Sequence, residues 1–403
     1  MITTALIMLP ELKNAPENWP LQKVAGLSLI ERNLMAVKAQ GATRVFVFCP
    51  KSMGPAVEEH LQQLKDDRRL PHWSVHADEE NKPEGLSGPL LRIHGTRLFH
   101  NNWLKEALAC EQMGALQHDG KSIGLDLLSE PGSPAEPGAE LKNKGFAMEA
   151  ALPEQQKAAA KKIWRSLIKT SDGWFSVHLN RPVSLSLSKI VSIGPIHPNW
   201  VTLFTLMVGL ASAVFSAFGT WMWIAIGGVL YQLASILDGV DGEIARVKFL
   251  GTKSGQWMDT ISDDTTNFVY IAGVTIGVWR ATGWHWILWV GGAAMVLDLL
   301  VVGLMYHQLI VRFKTGTLLG FEWDFQKDDE KKGLGALVAK LEPFLKRDLY
   351  GLLFMVLAIA GIVWLVPILS ALGLIGALVT FLGQMAKWRA EDRRLKIAGE
   401  KTS

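Results

Sequence analysis

Residues 238–263 read DGVDGEIARVKFLGTKSGQWMDTISD, and the organisation of the whole chain follows from this stretch outward. Asp238 and Asp241 are three residues apart, Asp259 and Asp263 four, so on helices each pair shares one face about a turn apart. Between them Val247 to Ser254 is polar and contains Gly251, a composition that lets the chain reverse and bring the two acidic faces together. Like charges crowd only where cations neutralise them. An all-carboxylate donor set suits Mg²⁺, Mn²⁺ or Ca²⁺ better than zinc, which takes His or Cys, and two ions are the expected number. A solvated acidic helix end, with the carboxylates paired to Arg246, Lys248 and Lys253, is the competing reading.

What flanks the stretch is apolar. Six spans are readable: Val201 to Gly219, Trp221 to Leu237, Trp257 to Trp279, Trp286 to Tyr306, Tyr350 to Val366 and Ile368 to Ala386. Tryptophans stand near their ends, as at membrane interfaces. Carboxylates beside or within such spans are costly and usually functional. The loops near Thr220, Arg280 to His285 and Pro367 carry one basic residue, Arg280. Arg246, Lys248, Lys253, Arg312, Lys314, the segment to Arg347 and the tail Lys387 to Lys396 fall on the other side. The bias of basic residues towards the cytoplasm places the acidic motif, the N-terminal domain and both termini there, in an inner or cytoplasmic membrane. Asp298 lies mid-span, where it can pair with a neighbouring helix, line a cavity or face a partner.

Residues 1–190 are a different material, mixed in polarity. A β-rich run from Thr3 to Met8, a helical stretch from Leu27 to Ala39, strands at Arg44 to Cys49, Trp73 to Ala77 and Leu90 to His94, and a helix from Asn102 to Met113 alternate. This pattern predicts an α/β domain on a mostly parallel sheet. The opening MITTALIMLPELKN has no basic n-region and reads as a first strand rather than a signal peptide. Cys49 and Cys110 have no metal-ligand spacing and make no disulfide framework. A formal net charge of +3 gives no footprint for nucleic acid.

The segment Leu21 to Asn33, LQKVAGLSLIERN, followed by Gly41-Ala-Thr-Arg-Val-Phe-Val, resembles the sugar-nucleotidyltransferase fold. Two departures stand against that activity. After the first strand the family carries a Gly-rich loop for the triphosphate, where this chain has Met8, Leu9, Pro10 and Glu11. In place of the family's metal-binding Asp stands Arg92-Ile93-His94-Gly95-Thr96. The domain is therefore expected to be nucleotidyltransferase-like with cytidylyl transfer lost. Glu130 to Gly138, EPGSPAEPG, reads as a linker or exposed loop. Pro153 to Lys169 interleaves Ile163, Trp164, Leu167 and Ile168 with Lys157, Lys161, Lys162, Arg165 and Lys169. This basic amphipathic helix is expected on an anionic membrane surface, with packing against the N-terminal domain as its alternative.

The acidic stretch, read as Asp-x-x-Asp-Gly-x-x-Ala-Arg, eight residues, then Gly-x-x-x-Asp-x-x-x-Asp, resembles at every fixed position the signature of the CDP-alcohol phosphatidyltransferase family. The lead-in Asp172-Gly-Trp-Phe, Asn180-Arg-Pro and Pro198-Asn-Trp-Val-Thr extends the likeness over residues 172–390. The resemblance implies attack of an alcohol on the β-phosphorus of a CDP-linked donor with release of CMP. It implies Mg²⁺ or Mn²⁺, in two ions, on Asp238, Asp241, Asp259 and Asp263, with Asp263 also the base that accepts the hydroxyl proton. It implies nucleotide contacts at Gly242, Ala245, Arg246, Gly255, Asn199 and Thr202, and a homodimer. Gly242 and Ala245 serve equally as small helix-packing residues, and Arg246 can meet the diphosphate or hold Asp241. Arg312, Lys314 and Arg347 are candidate acceptor-binding cations, or ordinary span anchors.

The expected divisions are 1–150 (nucleotidyltransferase-like), 151–197 (basic juxtamembrane), 198–390 (six-helix membrane domain, all α and polytopic) and 391–403 (basic tail). The expected function is transfer of a phosphatidyl group from CDP-diacylglycerol to a polar alcohol or polyol phosphate in phospholipid synthesis. Alternatives are a bifunctional inositol-phosphate cytidylyltransferase and CDP-inositol phosphotransferase, a non-catalytic membrane cation-binding protein, and a regulatory pseudoenzyme.

Overall fold

The computed structural model describes residues 2–77, 83, 86–169, 172–313 and 347–400. Two units divide them: Met1–Leu167 with Arg246–Leu250, and Ile168–Ala245 with Gly251–Ser403.

The strands of the first unit are β1 (Thr4–Met8), β2 (Lys23–Val24), β3 (Leu27–Ser28), β4 (Arg44–Phe48), β5 (His72–His76), β6 (Leu90–His94), β7 (Arg97–Phe99), β8 (Gly114–His118), β9 (Lys121–Leu128), β10 (Pro137–Glu140) and β11 (Ala147–Glu149). Its helices are α1 (Leu29–Ala39), α2 (Gly54–Gln63), α3 (Asn101–Ala109) and α4 (Pro153–Ser166). Seven strands form one sheet in the order β10-β8-β9-β6-β1-β4-β5. β1 pairs parallel with β4 and β6, β4 with β5 and β8 with β10, while β9 runs antiparallel to β6 and β8. The mostly parallel sheet read from the alternation is present. Ser28 starts α1 as a capping box, its hydroxyl accepting the Glu31 amide at 3.2 Å. Burial pushes the Cys49 thiol up to about 11, with Glu58 adding to the shift, so Cys49 is a core residue rather than a nucleophile.

Two readings that left alternatives open are decided. EPGSPAEPG is an exposed loop over 130–136 rather than a linker, and β10 begins inside it at Pro137 and joins the sheet beside β8. Gly114 and Gly138 make that approach possible, because a Cβ on either would meet the other's backbone within 3.0 Å. The basic helix α4 is the packed alternative. Ala159 and Trp164 are buried, and Ala160 and Ile163 lie against the core of the first unit, so its apolar stripe is already covered. The first unit thus includes α4 and runs to Leu167. Within it, Arg32 donates from Nη1 to the Val247 carbonyl at 3.0 Å.

The second unit is helical: a π-helical turn (Ser176–Asn180), α5 (Arg181–Val191), α6 (Pro198–Ala217), α7 (Trp221–Val247), α8 (Lys253–Thr282), α9 (His285–Gln308), α10 (Arg347–Ile359) and α11 (Leu365–Glu400). Among the described residues four segments are long and apolar enough to cross a membrane: Pro198–Ala217, Trp221–Val247, His285–Arg312 and Leu365–Ala390. Six helices occupy the six expected positions; α8 carries Asp259, Asp263 and Asp264, and α10 is described over Arg347–Ile359. Among the described residues four of the six expected spans meet that length and composition. Close helix packing rests on small residues: a Cβ at Gly273 or Gly277 of α8 would run into the carbonyl oxygens of Ala213 or Ser216 on α6.

Candidate active site

The acidic residues come from α7 and α8. α8 starts where the Thr252 hydroxyl accepts the Gly255 amide at 3.0 Å, an N-cap that sets the register of Asp259 and Asp263 one turn apart. Asn199 flanks this start, since a Cβ on Gly255 would stand 3.3 Å from Asn199 Oδ1. One carboxylate oxygen from each of Asp238, Asp259 and Asp263 lies within 4.8 Å of the others, all three residues half-buried. Two oxygens bound to one ion at roughly 2.0–2.6 Å stand at most about 5 Å apart, so the trio fits a hard divalent cation. Asp241 is outside that group. It is 5% exposed, and its carboxylate accepts hydrogen bonds from the Thr202 hydroxyl and the Gly242 amide. Thr202, a residue expected at the nucleotide, donates this bond to Asp241. Ala245 and Gly242 are half-buried on α7, and Arg246 is exposed in its last turn.

Glu243 is the residue that sequence reasoning missed. It fills an unspecified position of the motif and is fully buried. Arg181 Nη1 donates to its Oε1 at 2.7 Å, the Ser184 hydroxyl to the same atom at 2.8 Å, and the Ser188 hydroxyl to Oε2 at 2.6 Å. The Nε and Nη2 of Arg181 are held by Asp172 at 2.8 and 3.1 Å. A buried carboxylate is tolerated when its lone pairs are met in this way. The sequence signal was the spacing of Arg181, Ser184 and Ser188 on one face of α5.

Asp238 and Asp263 also line a cavity of about 210 Å³ together with Ser176, Asn180, Ser184 and Ser235. Ser176 and Asn180 lie on the π-helical turn, a geometry frequent at functional sites. The Tyr306 hydroxyl donates to Asp264 Oδ2 at 2.6 Å, and Tyr231 donates to Asn267 Oδ1 at 2.7 Å. Asp298 is buried on α9. Of the expected acceptor cations, Arg312 lies 5.2 Å over the Trp388 ring and does not line the cavity. Lys314 and the side chain of Arg347 lie outside the described residues.

Residues 195–382 match the sequence model of the family described as CDP-alcohol phosphatidyltransferase. Among curated relatives, the "bifunctional IPC transferase and DIPP synthase" of Aquifex aeolicus is 34% identical over 149 residues, 37% of this chain and 33% of that protein. The protein of the same name from Thermococcus kodakarensis is 34% identical over 136 residues, 34% of this chain and 30% of the relative. The chain thus spans about a third of the length of these relatives. A solved inositol-1-phosphate CTP transferase from T. maritima covers 40% of this chain and 97% of its own, at 10% identity and a TM-score of 0.30.

Proposed function

We propose, from the premise that residues 195–382 form a CDP-alcohol phosphatidyltransferase domain, that this chain moves a substituted phosphoryl group from a CDP-linked alcohol to the hydroxyl of a second alcohol. The observation that carries the reading is the convergence of Asp238, Asp259 and Asp263 inside that domain. These three would hold Mg²⁺ or Mn²⁺, one ion or two, which when bound would neutralise the diphosphate and polarise its phosphorus. The remaining chemistry falls to the chain. Asp263 takes the proton of the acceptor hydroxyl. The freed oxygen forms a bond to the β-phosphorus, the bond from that phosphorus to the bridging oxygen breaks, and CMP leaves with that oxygen. The donor we propose is CDP-diacylglycerol, which places the protein in phospholipid synthesis, with the site facing the cytoplasm on the basic side of the membrane.

A second reading has its own support. The similar proteins are named for two activities, and the likeness of the N-terminal domain to nucleotidyltransferases suggests a donor of the CDP-inositol kind. Where the nucleotidyltransferase resemblance leads one to expect a metal-binding Asp, this chain reads Arg92-Ile93-His94, which favours the single-activity reading.

The test is CMP release by the full chain in detergent with Mg²⁺ or Mn²⁺, from CDP-diacylglycerol and from CDP-inositol, with a panel of alcohols. Acceptor-dependent release that falls at least about 100-fold in Asp263→Asn supports the reading. Silence with both donors sinks it. Release from CDP-inositol alone moves the donor to the soluble class.

A further inference from the structure

A short piece of chain between the two halves of the acidic motif belongs to the first unit. The chain enters that unit at Arg246 and leaves it at Leu250. In sequence this piece joins α7, which carries Asp238 and Asp241, to α8, which carries Asp259 and Asp263. A connection between helices ordinarily runs over the surface in solvent. Here Val247 is 1% and Lys248 7% exposed, and the half-buried Phe249 packs on the core of the first unit.

Two guanidinium groups bind the main chain of this piece. Val247 is the last residue of α7, so its carbonyl lies beyond the helix's own ladder. Arg32 Nη1 donates to that carbonyl at 3.0 Å, and Arg69 Nη1 donates to the Lys248 carbonyl at 2.6 Å. Cations that meet the last carbonyls cap a helix and complement its dipole. Both arginines are themselves held. Nε and Nη2 of Arg32 donate to the Val24 carbonyl at 3.2 and 2.9 Å, and Nη2 also to the Ala25 carbonyl at 2.9 Å. Asp67 accepts from Nε and Nη2 of Arg69. Burial pulls the Arg32 guanidinium down to about 10, with Glu31 opposing the shift, a cost that these bonds offset. Arg32 Cζ lies 6.0 Å from the centroid of the Phe249 ring. Phe249 has a positive φ of 56°, a conformation that a bulky residue keeps only where its neighbours enforce it.

Carboxylates that share an ion repel one another, so their juxtaposition has to be enforced by the chain around them. We propose, on the transferase reading, that the first unit is a clamp for the reaction: Arg32 and Arg69 are positioning residues that cap α7, Phe249 anchors the connection, and together they fix how the two pairs of aspartates meet. Their effect passes through the aspartates rather than through substrate. The first unit thereby has a task that needs no nucleotide chemistry of its own.

The experiment compares the full chain in detergent with Arg69→Ala, Phe249→Gly and a control, Arg97→Ala, which removes a different ion pair of the first unit, Arg97 with Glu149. Glycine at 249 deletes the ring while keeping a backbone conformation that glycine adopts freely. Mn²⁺ affinity is measured by electron paramagnetic resonance, and amide hydrogen exchange is followed at peptides from residues 239–262. Arg69→Ala and Phe249→Gly are each expected to weaken Mn²⁺ binding at least about five-fold, short of the roughly 10–100-fold that follows loss of a group orienting a metal ligand directly. Exchange over 246–256 should rise about ten-fold in both, and Arg97→Ala should stay within about two-fold of wild type in both measurements. In the CMP assay the two variants should lower kcat with the donor KM within about three-fold. Unchanged Mn²⁺ affinity in either variant, equal losses in Arg97→Ala, or no Mn²⁺ binding by wild type overturns the clamp. Neither binding nor exchange uses a CDP donor. A chain that binds Mn²⁺ and releases no CMP therefore fails the transferase reading alone, and these two measurements still decide the clamp.

Discussion

Buried acid is handled in opposite ways in the two units. In the first, Asp126 on β9 is 3% exposed and sits beside Arg92 and His94 on the neighbouring strand. Arg92 reaches its Oδ2 from Nε at 2.9 Å and from Nη2 at 2.8 Å, and His94 approaches at 3.4 Å. In the second, Asp238, Asp259 and Asp263 bring oxygens within 4.8 Å of one another, an arrangement whose repulsion a bound cation relieves. Glu243 shows that the second unit also knows the first solution, with Arg181, Ser184 and Ser188 around one carboxylate. Residue type therefore does not separate structural from reactive acids. The neighbours do: Asp126 and Glu243 each sit among side chains that answer one carboxylate, whereas Asp238, Asp259 and Asp263 bring three carboxylates within reach of a single ion.

The comparison breaks most visibly at the trio. Chelating divalent ions from the full chain is expected to abolish CMP release, and returning Mg²⁺ or Mn²⁺ to restore it. Asp259→Asn should lower the rate by roughly two to four orders of magnitude, in the range that removal of a positioned catalytic group costs. Asp126→Asn in the same assay should leave the rate within a few-fold. A comparable loss from both variants, or full activity after chelation, would remove the distinction between the two kinds of acid.

The next effect concerns Glu243. Glu243→Ala leaves the buried Arg181 with Asp172 alone and two hydroxyls without their acceptor. A broken buried pair costs about 3–5 kcal/mol, equivalent to a fall of roughly 6–12 °C in the thermal midpoint of a unit this size. Removing both charges, as in Arg181→Met with Glu243→Leu, should recover part of that loss, because the remaining partners no longer surround an uncompensated ion. If the double variant is no more stable than the single one, Glu243 is not held mainly by that ion pair.

How far these contrasts were legible in the sequence depended on whether the signal was local. The spacing of the four aspartates put three of them in one place, since helical periodicity fixes which residues share a face. The alternation of strands and helices gave the parallel core of the first unit. Local signals went unused too. His118-Asp119-Gly120-Lys121 turns β8 into β9 with positive φ at Asp119 (52°) and Gly120 (70°), the Asp-Gly turn of a tight hairpin, and reading it would have exposed β9 and Asp126. What was not legible was set by packing at a distance. Nothing local says that Pro137 enters a sheet, that the apolar stripe of α4 is covered by its own unit, or that Thr202 lies against Asp241. The basic residues of α4 fit a membrane surface and a packed helix equally, and only the burial of Trp164 and Ala159 decides.

The smallest effect tests the first unit by pH. Burial opposes ionisation of Asp126, but hydrogen bonds from His94 and Arg92 and their charge outweigh it, holding the carboxyl below the usual carboxylate range. A group whose folded pKa is depressed adds stability that is present above its unfolded value near 3.9. That stability fades as pH falls through the folded value. The Arg92 side chain is 28% exposed and that of His94 52%, so solvent screens the interaction and about 1–2 kcal/mol is expected. Pulse-labelling hydrogen exchange across a urea series on the full chain, read at peptides from β6 and β9, measures it locally. Wild type should lose protection at these strands between about pH 5 and pH 3, and Asp126→Asn should be less protected at pH 6 and lose less over the same interval. Equal pH dependence in both proteins would show that another carboxylate governs the acid response, and that Asp126 is not the internally neutralised counterpart of the trio.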